Sequence, residues 1–108
     1  MSFSARRGLE HEAKTRIADG VACRATNAEA LAHILRGVER VVEVTDDEVE
    51  AAMRALFSDT HNVAEGAGAV ALAAALQERQ ANAGRRIGAV LTGGNVDREV
   101  FARVLAAG

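Results

Sequence analysis

Between Thr45 and Asp59 the chain reads TDDEVEAAMRALFSD, and this stretch has little freedom in how it folds. Thr45 and Glu48 have the spacing of a capping box, in which the hydroxyl accepts the third helical N–H and the carboxylate accepts the N–H of the cap. Asp46 and Asp47 follow at the positive end of the helix dipole. Val49, Ala52, Met53, Leu56 and Phe57 then recur at helical spacing, so one face of a well-started helix is apolar and has to be covered.

The flanking segments indicate what covers it. Residues 1–16 are charged and without clear period, and are expected to form an arm or a frayed helix. RIADGVACR is a short apolar run broken at Asp19-Gly20, expected as a strand or strand-like loop. Thr26 or Asn27 can cap a helix over about Ala28–Arg36, with Leu31, Ile34 and Leu35 on one face and Gly37 as its stop. Arg40–Val44 (RVVEV) is a short β-branched strand. HNVAEGAGAV breaks the helical pattern, ALAAALQERQA resumes as an Ala-rich helix, and Asn82–Gly84 make a turn. RIGAVLTGG is expected as a strand buried on both faces, and Asp97–Ala106 as a last helix with Val100, Phe101, Val104 and Leu105 inward. Strands alternating with helices predict an α/β fold, three layers with helices packed on a mostly parallel sheet. Ligands of such sheets sit beyond the carboxyl ends of the strands, which puts the Thr92 junction and Asp19-Gly20 on the ligand side.

Composition narrows the function. A chain of 108 residues is one domain at most, and burial of roughly 65% of its unfolded surface is enough for one modest core. The net charge of −2 and an aromatic content of only three Phe provide neither a phosphate-binding surface nor a base-stacking platform, which argues against nucleic acid as a partner. The single cysteine, Cys23, excludes an internal disulfide and a Cys-rich zinc site. His11, His33 and His61 lack metal-ligand spacing; His33 is expected in solvent and His61-Asn62 at the end of a helix. Without a membrane-length apolar run or a secretory signal, the expected compartment is the cytoplasm. Neither a G-x-G-x-x-G fingerprint nor a P-loop occurs, so a nucleotide-binding module has little support.

Three stretches stand out: IADG at 17–20, NVAEGAGAVAL at 62–72 and LTGGNVD at 91–97. From spacing alone the last is a strand-to-helix turn with Asn95 or Asp97 as cap, or a polar ligand site. In order and spacing the three resemble the C-terminal part of the threonine and serine dehydratases, pyridoxal-phosphate (PLP) lyases of the fold type II, tryptophan-synthase β-like family. The resemblance covers about Ile17–Gly108, roughly the last third of a usual member, and corresponds to the C-terminal part of the large domain. It implies PLP as cofactor and a hydroxyl at Thr92 hydrogen-bonded to the pyridine nitrogen, where members often carry Ser. It further implies that Gly93 and Gly94 allow backbone to approach the ring, that the Glu65 carboxylate lies near it at the start of a glycine-rich helix, and that Gly20 lines the pocket. Members commonly have Pro after this Glu, whereas Gly66 stands here.

The family holds PLP on a lysine within a Ser-Phe-Lys-x-Arg-Gly pattern. The one lysine, Lys14, lies in HEAKTR, and SFSARRG (2–8) has Ser4 where that lysine belongs and one residue too many. The glycine-rich phosphate loop is not found either. The expectation is therefore a segment of a dehydratase that eliminates the hydroxyl of an amino acid to give a 2-oxo acid and ammonia, not competent alone. It would self-associate or complement the missing N-terminal part. The alternative is a non-catalytic dimerisation or regulatory module derived from the same fold.

Overall fold

The computed structural model describes residues 17, 18 and 27–108. Four helices occur among them: α1 (Ala28–Gly37), α2 (Asp46–Thr60), α3 (Gly66–Gln77) and α4 (Arg98–Ala106). The expectations for residues 1–16, Gly20 and Cys23 lie outside the described residues.

Two of the four helices start on a side-chain cap. Asn27 accepts the Ala30 N–H on α1 (3.0 Å). On α2 both halves of the capping box form: Glu48 N–H donates to the Thr45 hydroxyl (3.2 Å), and Thr45 N–H donates to Glu48 Oε1 (2.8 Å). The α2 helix ends at His61, whose left-handed backbone (φ 59°, ψ 32°) lets its N–H reach back to the Phe57 carbonyl (2.9 Å). His61 thus takes the helix-ending place expected of it. The Asn82–Gly84 turn also forms, with Arg85 N–H on the Asn82 carbonyl (3.0 Å) and Gly84 at φ 80°. His33 lies in solvent on α1, within 2.8 Å of the Arg36 guanidinium.

The core forms where α2 lies across α3, with α4 packed against α2. Ala52, Met53, Ala64, Ala69 and Val104 are fully buried, joined by Val49, Ala73, Ile17 and Ala18. Alanine predominates, so the helices approach closely. Val100 and Phe101 pack on this cluster, Leu105 is half-buried, and Phe101 meets Phe57 edge-on at 5.6 Å between ring centroids. The N-terminus of α2 is tied to the far end of α3, where Gln77 Nε2 donates to the Glu43 carbonyl (2.9 Å) and to both Glu48 carboxylate oxygens (3.2 Å). Arg40 forms a two-pronged pair with Glu78 at the same end. The α2–α4 contact carries the Arg103–Glu50 pair (2.8 Å) and an Arg54 bond to the Val104 carbonyl (3.2 Å).

Two expectations are not met among the described residues. First, no strand forms among the described residues, so the predicted parallel sheet is not seen there. Arg40–Val44 and the run from Arg85 to Leu91 are irregular, and the latter is not buried: Ile87, Val90 and Leu91 are 51%, 72% and 37% exposed. A β-branched run becomes a strand only against a neighbour that takes its N–H and C=O groups, and the described residues supply none. Second, the glycines of AEGAGAV do not interrupt helix; α3 begins at Gly66 and runs through them. Each glycine disfavours helix by about 1 kcal/mol relative to alanine. Close packing of this turn against two backbone segments outweighs that preference.

No helix among the described residues is long and apolar enough to cross a membrane, and no group of three or more potential metal ligands occurs among them.

Candidate functional site

The first turn of α3 and the Thr92–Asn95 turn meet backbone to backbone. Glu65, the residue before α3, is extended (φ −75°, ψ 167°); its carbonyl accepts the Ala69 N–H (3.1 Å), and its own N–H donates to the Gly93 carbonyl (3.1 Å). The Glu65 carboxylate does not cap its helix. It extends over Gly93 instead, where a Cβ would fall on Oε1. Gly94 is similarly pressed against the Val63 carbonyl. Gly94 faces backbone that cannot give way, Gly93 only the end of a flexible side chain, and neither glycine has a left-handed φ.

Thr92 is exposed, and its hydroxyl has no hydrogen-bond partner among the described residues. After it, Val96 N–H returns to the Gly94 carbonyl (3.1 Å), and Asp97 starts α4, again without a side-chain cap. A cleft of about 210 Å³ opens between the two helix starts, lined by Ile17, Glu65, Gly66, Asn95, Asp97 and Val100 among others.

Of the five residues singled out from sequence, the fold therefore brings Glu65 onto Gly93, 28 positions away in the numbering, with Thr92 and Gly94 on either side of that glycine. Gly20 lies outside the described residues, although Ile17 and Ala18 just before it are buried against α3. Sequence reading missed Asn95 and Asp97 as cleft residues; their signal was there, inside LTGGNVD, but was read only as helix capping. The local pattern took Gly66 and Gly68 as a break, whereas the resemblance put Glu65 at the start of a glycine-rich helix, where the structure has it. Chemically, the site offers one unpartnered hydroxyl donor, one half-buried carboxylate and a floor without side chains.

The comparisons with known proteins agree on one family. The model of the pyridoxal-phosphate dependent enzymes matches residues 2–93. A phenylserine dehydratase of Ralstonia pickettii is 46% identical over 74 residues, 68% of this chain and 23% of its own. An L-threonine ammonia-lyase of Thermotoga maritima is 33% identical over 110 residues, 100% of this chain and 27% of its own. The solved T.th. threonine deaminase superposes with a TM-score of 0.74 at 32% identity, covering 89% of this chain and 35% of that one. A serine racemase from Dictyostelium discoideum does so at 0.77 and 26%, covering 89% and 31%. The chain thus spans about a quarter of the length of the curated relatives it matches. Over nearly its whole length, this chain belongs to the pyridoxal-phosphate dependent enzyme family.

Proposed function

We infer that this chain forms the pyridine-nitrogen side of a PLP site in an enzyme that eliminates the hydroxyl of a β-hydroxy amino acid, yielding a 2-oxo acid and ammonia. The observation that carries this reading is the joint itself: the unpartnered Thr92 hydroxyl beside a side-chain-free Gly93, held by the Glu65 N–H. Its support is the fit of that donor set to a flat heteroaromatic ring with one basic nitrogen. The names of relatives, a dehydratase and an ammonia-lyase, support the same reaction class.

When bound, PLP supplies electron withdrawal at the α-carbon of the amino acid. The Thr92 hydroxyl would donate a hydrogen bond to the pyridine nitrogen and so would leave that nitrogen without a proton; an aspartate there would hold it protonated. Glu65 forms one wall, and the absence of Cβ atoms at Gly93 and Gly94 leaves room for the ring. A lysine base and a phosphate cradle are not among these residues, and we assign them to polypeptide that completes the fold. In that complete fold, 40–44 and 87–91 are strands of an α/β sheet, and the assembly acts as an oligomer or a complemented complex in the cytoplasm.

The test is a near-ultraviolet and visible titration of the purified chain with PLP, alone and mixed with the N-terminal two-thirds of a threonine ammonia-lyase. The chain has no Trp or Tyr, so cofactor bands are read against little protein absorbance. The expected result is saturable binding of one PLP per chain. Thr92→Ala should weaken it about threefold to tenfold, as for loss of one hydrogen bond worth about 1 kcal/mol, and shift the cofactor band. Binding that never saturates in either mixture, or an unchanged band in the Thr92→Ala protein, refutes the assignment.

A further inference from the structure

The glycines of α3 are placed with more purpose than a pattern break requires. A Cβ built on Gly68 would run into the Gly93 peptide: it lands on the carbonyl oxygen, 3.0 Å from the nitrogen and 3.2 Å from the carbonyl carbon. A Cβ on Gly66 would meet a different segment, 2.6 Å from the Ile17 carbonyl carbon and 3.1 Å from the Ala18 Cα. Both obstacles are backbone, which cannot turn away as a flexible side chain can. Two residues apart on a helix point to nearly opposite sides. The first turn of α3 is therefore wedged between two chain segments, with bare backbone on each flank.

We propose that Gly68 and Gly66 are positioning residues that together set the width of the site. Gly68 fixes how near the Thr92–Gly94 turn comes to α3, and hence the Glu65 N–H bond to Gly93. Gly66 fixes how near Ile17-Ala18 comes on the opposite flank, at the wall of the cleft that both Ile17 and Gly66 line. A proline at this first helical position, common in the family, would here bring its Cβ onto the Ile17 carbonyl. The assignment rests on the functional reading above for its consequence in cofactor binding, but not for its geometry.

The experiment uses the full chain with Gly68→Ala, Gly66→Ala and, as control, Gly37→Ala, where a Cβ meets nothing within 4 Å. Alanine favours helix over glycine, so a purely local role predicts equal or greater helicity and stability for all three. We expect instead that Gly68→Ala retains helical circular dichroism, loses hydrogen-exchange protection at the Glu65 amide, and binds PLP at least tenfold more weakly with a shifted band. Gly66→Ala should displace the amide signals of Ile17 and Ala18 while leaving Glu65 protected. Gly37→Ala should change neither. Protection of the Glu65 amide in Gly68→Ala equal to that of the unsubstituted chain overturns the proposal, whether or not PLP binds. If Gly68→Ala does not fold, Gly66→Ala decides: selective displacement of Ile17 and Ala18 upholds the wedge, and uniform or absent displacement overturns it. A chain that binds no PLP but shows these amide effects refutes the cofactor reading and leaves the wedge standing.

Discussion

Gly93 and Glu65 occupy one space between them: the glycine lacks a side chain where the carboxylate lies. Because Gly93 does not use a left-handed backbone, alanine fits its φ and ψ, and reduced freedom in the unfolded chain offsets part of any clash. The end of a Glu side chain can swing aside, unlike the backbone facing Gly68. Gly93→Ala is therefore expected to change stability by less than about 1 kcal/mol while moving the carboxylate. Its effect on PLP affinity should vanish when Glu65 is already Ala, a coupling of about 0.5–3 kcal/mol in a double-mutant cycle. Additive effects of the two substitutions would show that the carboxylate and the glycine act independently. At this scale the family resemblance singled out Glu65 and Gly93, but not that the carboxylate lies where a glycine 28 positions away lacks a side chain.

Among the elements, α2 is the one whose start is most fully specified by nearby residues. Thr45→Ala removes the hydroxyl that accepts the Glu48 N–H and should cost about 1 kcal/mol, measured by urea unfolding. The same cap sets a dependence on pH. The Glu48 carboxylate is held below the ordinary carboxylate range, first by the Thr45 N–H and then by the Gln77 amide; Glu78 is lowered by its Arg40 partner. A carboxylate whose folded pKa lies below its unfolded one stabilises the fold fully above the unfolded value. That contribution is lost as pH falls through the depressed one. A chain carrying both Glu48→Gln and Glu78→Gln should consequently lose less stability on acidification across that window than the unsubstituted chain. Equal acid sensitivity of the two proteins would place the relevant carboxylates elsewhere. The elements read best from sequence, α1, α2 and α4, have periodic faces, and α1 and α2 also side-chain caps, close along the chain. The local pattern alone misplaced the start of α3, because its glycines answer to Gly93 and Ile17, which no local pattern reveals.

Across the whole molecule, the buried alanine core of α2, α3 and α4 lies in one part of the chain and an exposed apolar segment, Ile87 to Leu91, in another. A β-branched segment of this kind with open backbone groups is a template for pairing. Concentration-dependent association is expected in sedimentation velocity, and Val90→Lys should reduce it without loss of helical signal. Association unchanged by that substitution would assign self-contact to another surface. The same contrast separates what each level determined. By itself the sequence specified the helices α1, α2 and α4 and their apolar faces, because a helix closes its hydrogen bonds within a few residues and its ends are set by neighbours in the chain. Only the tertiary structure decided whether the β-branched runs pair, where α3 begins, and that Glu65 lies over Gly93, because each depends on backbone arriving from a distant segment.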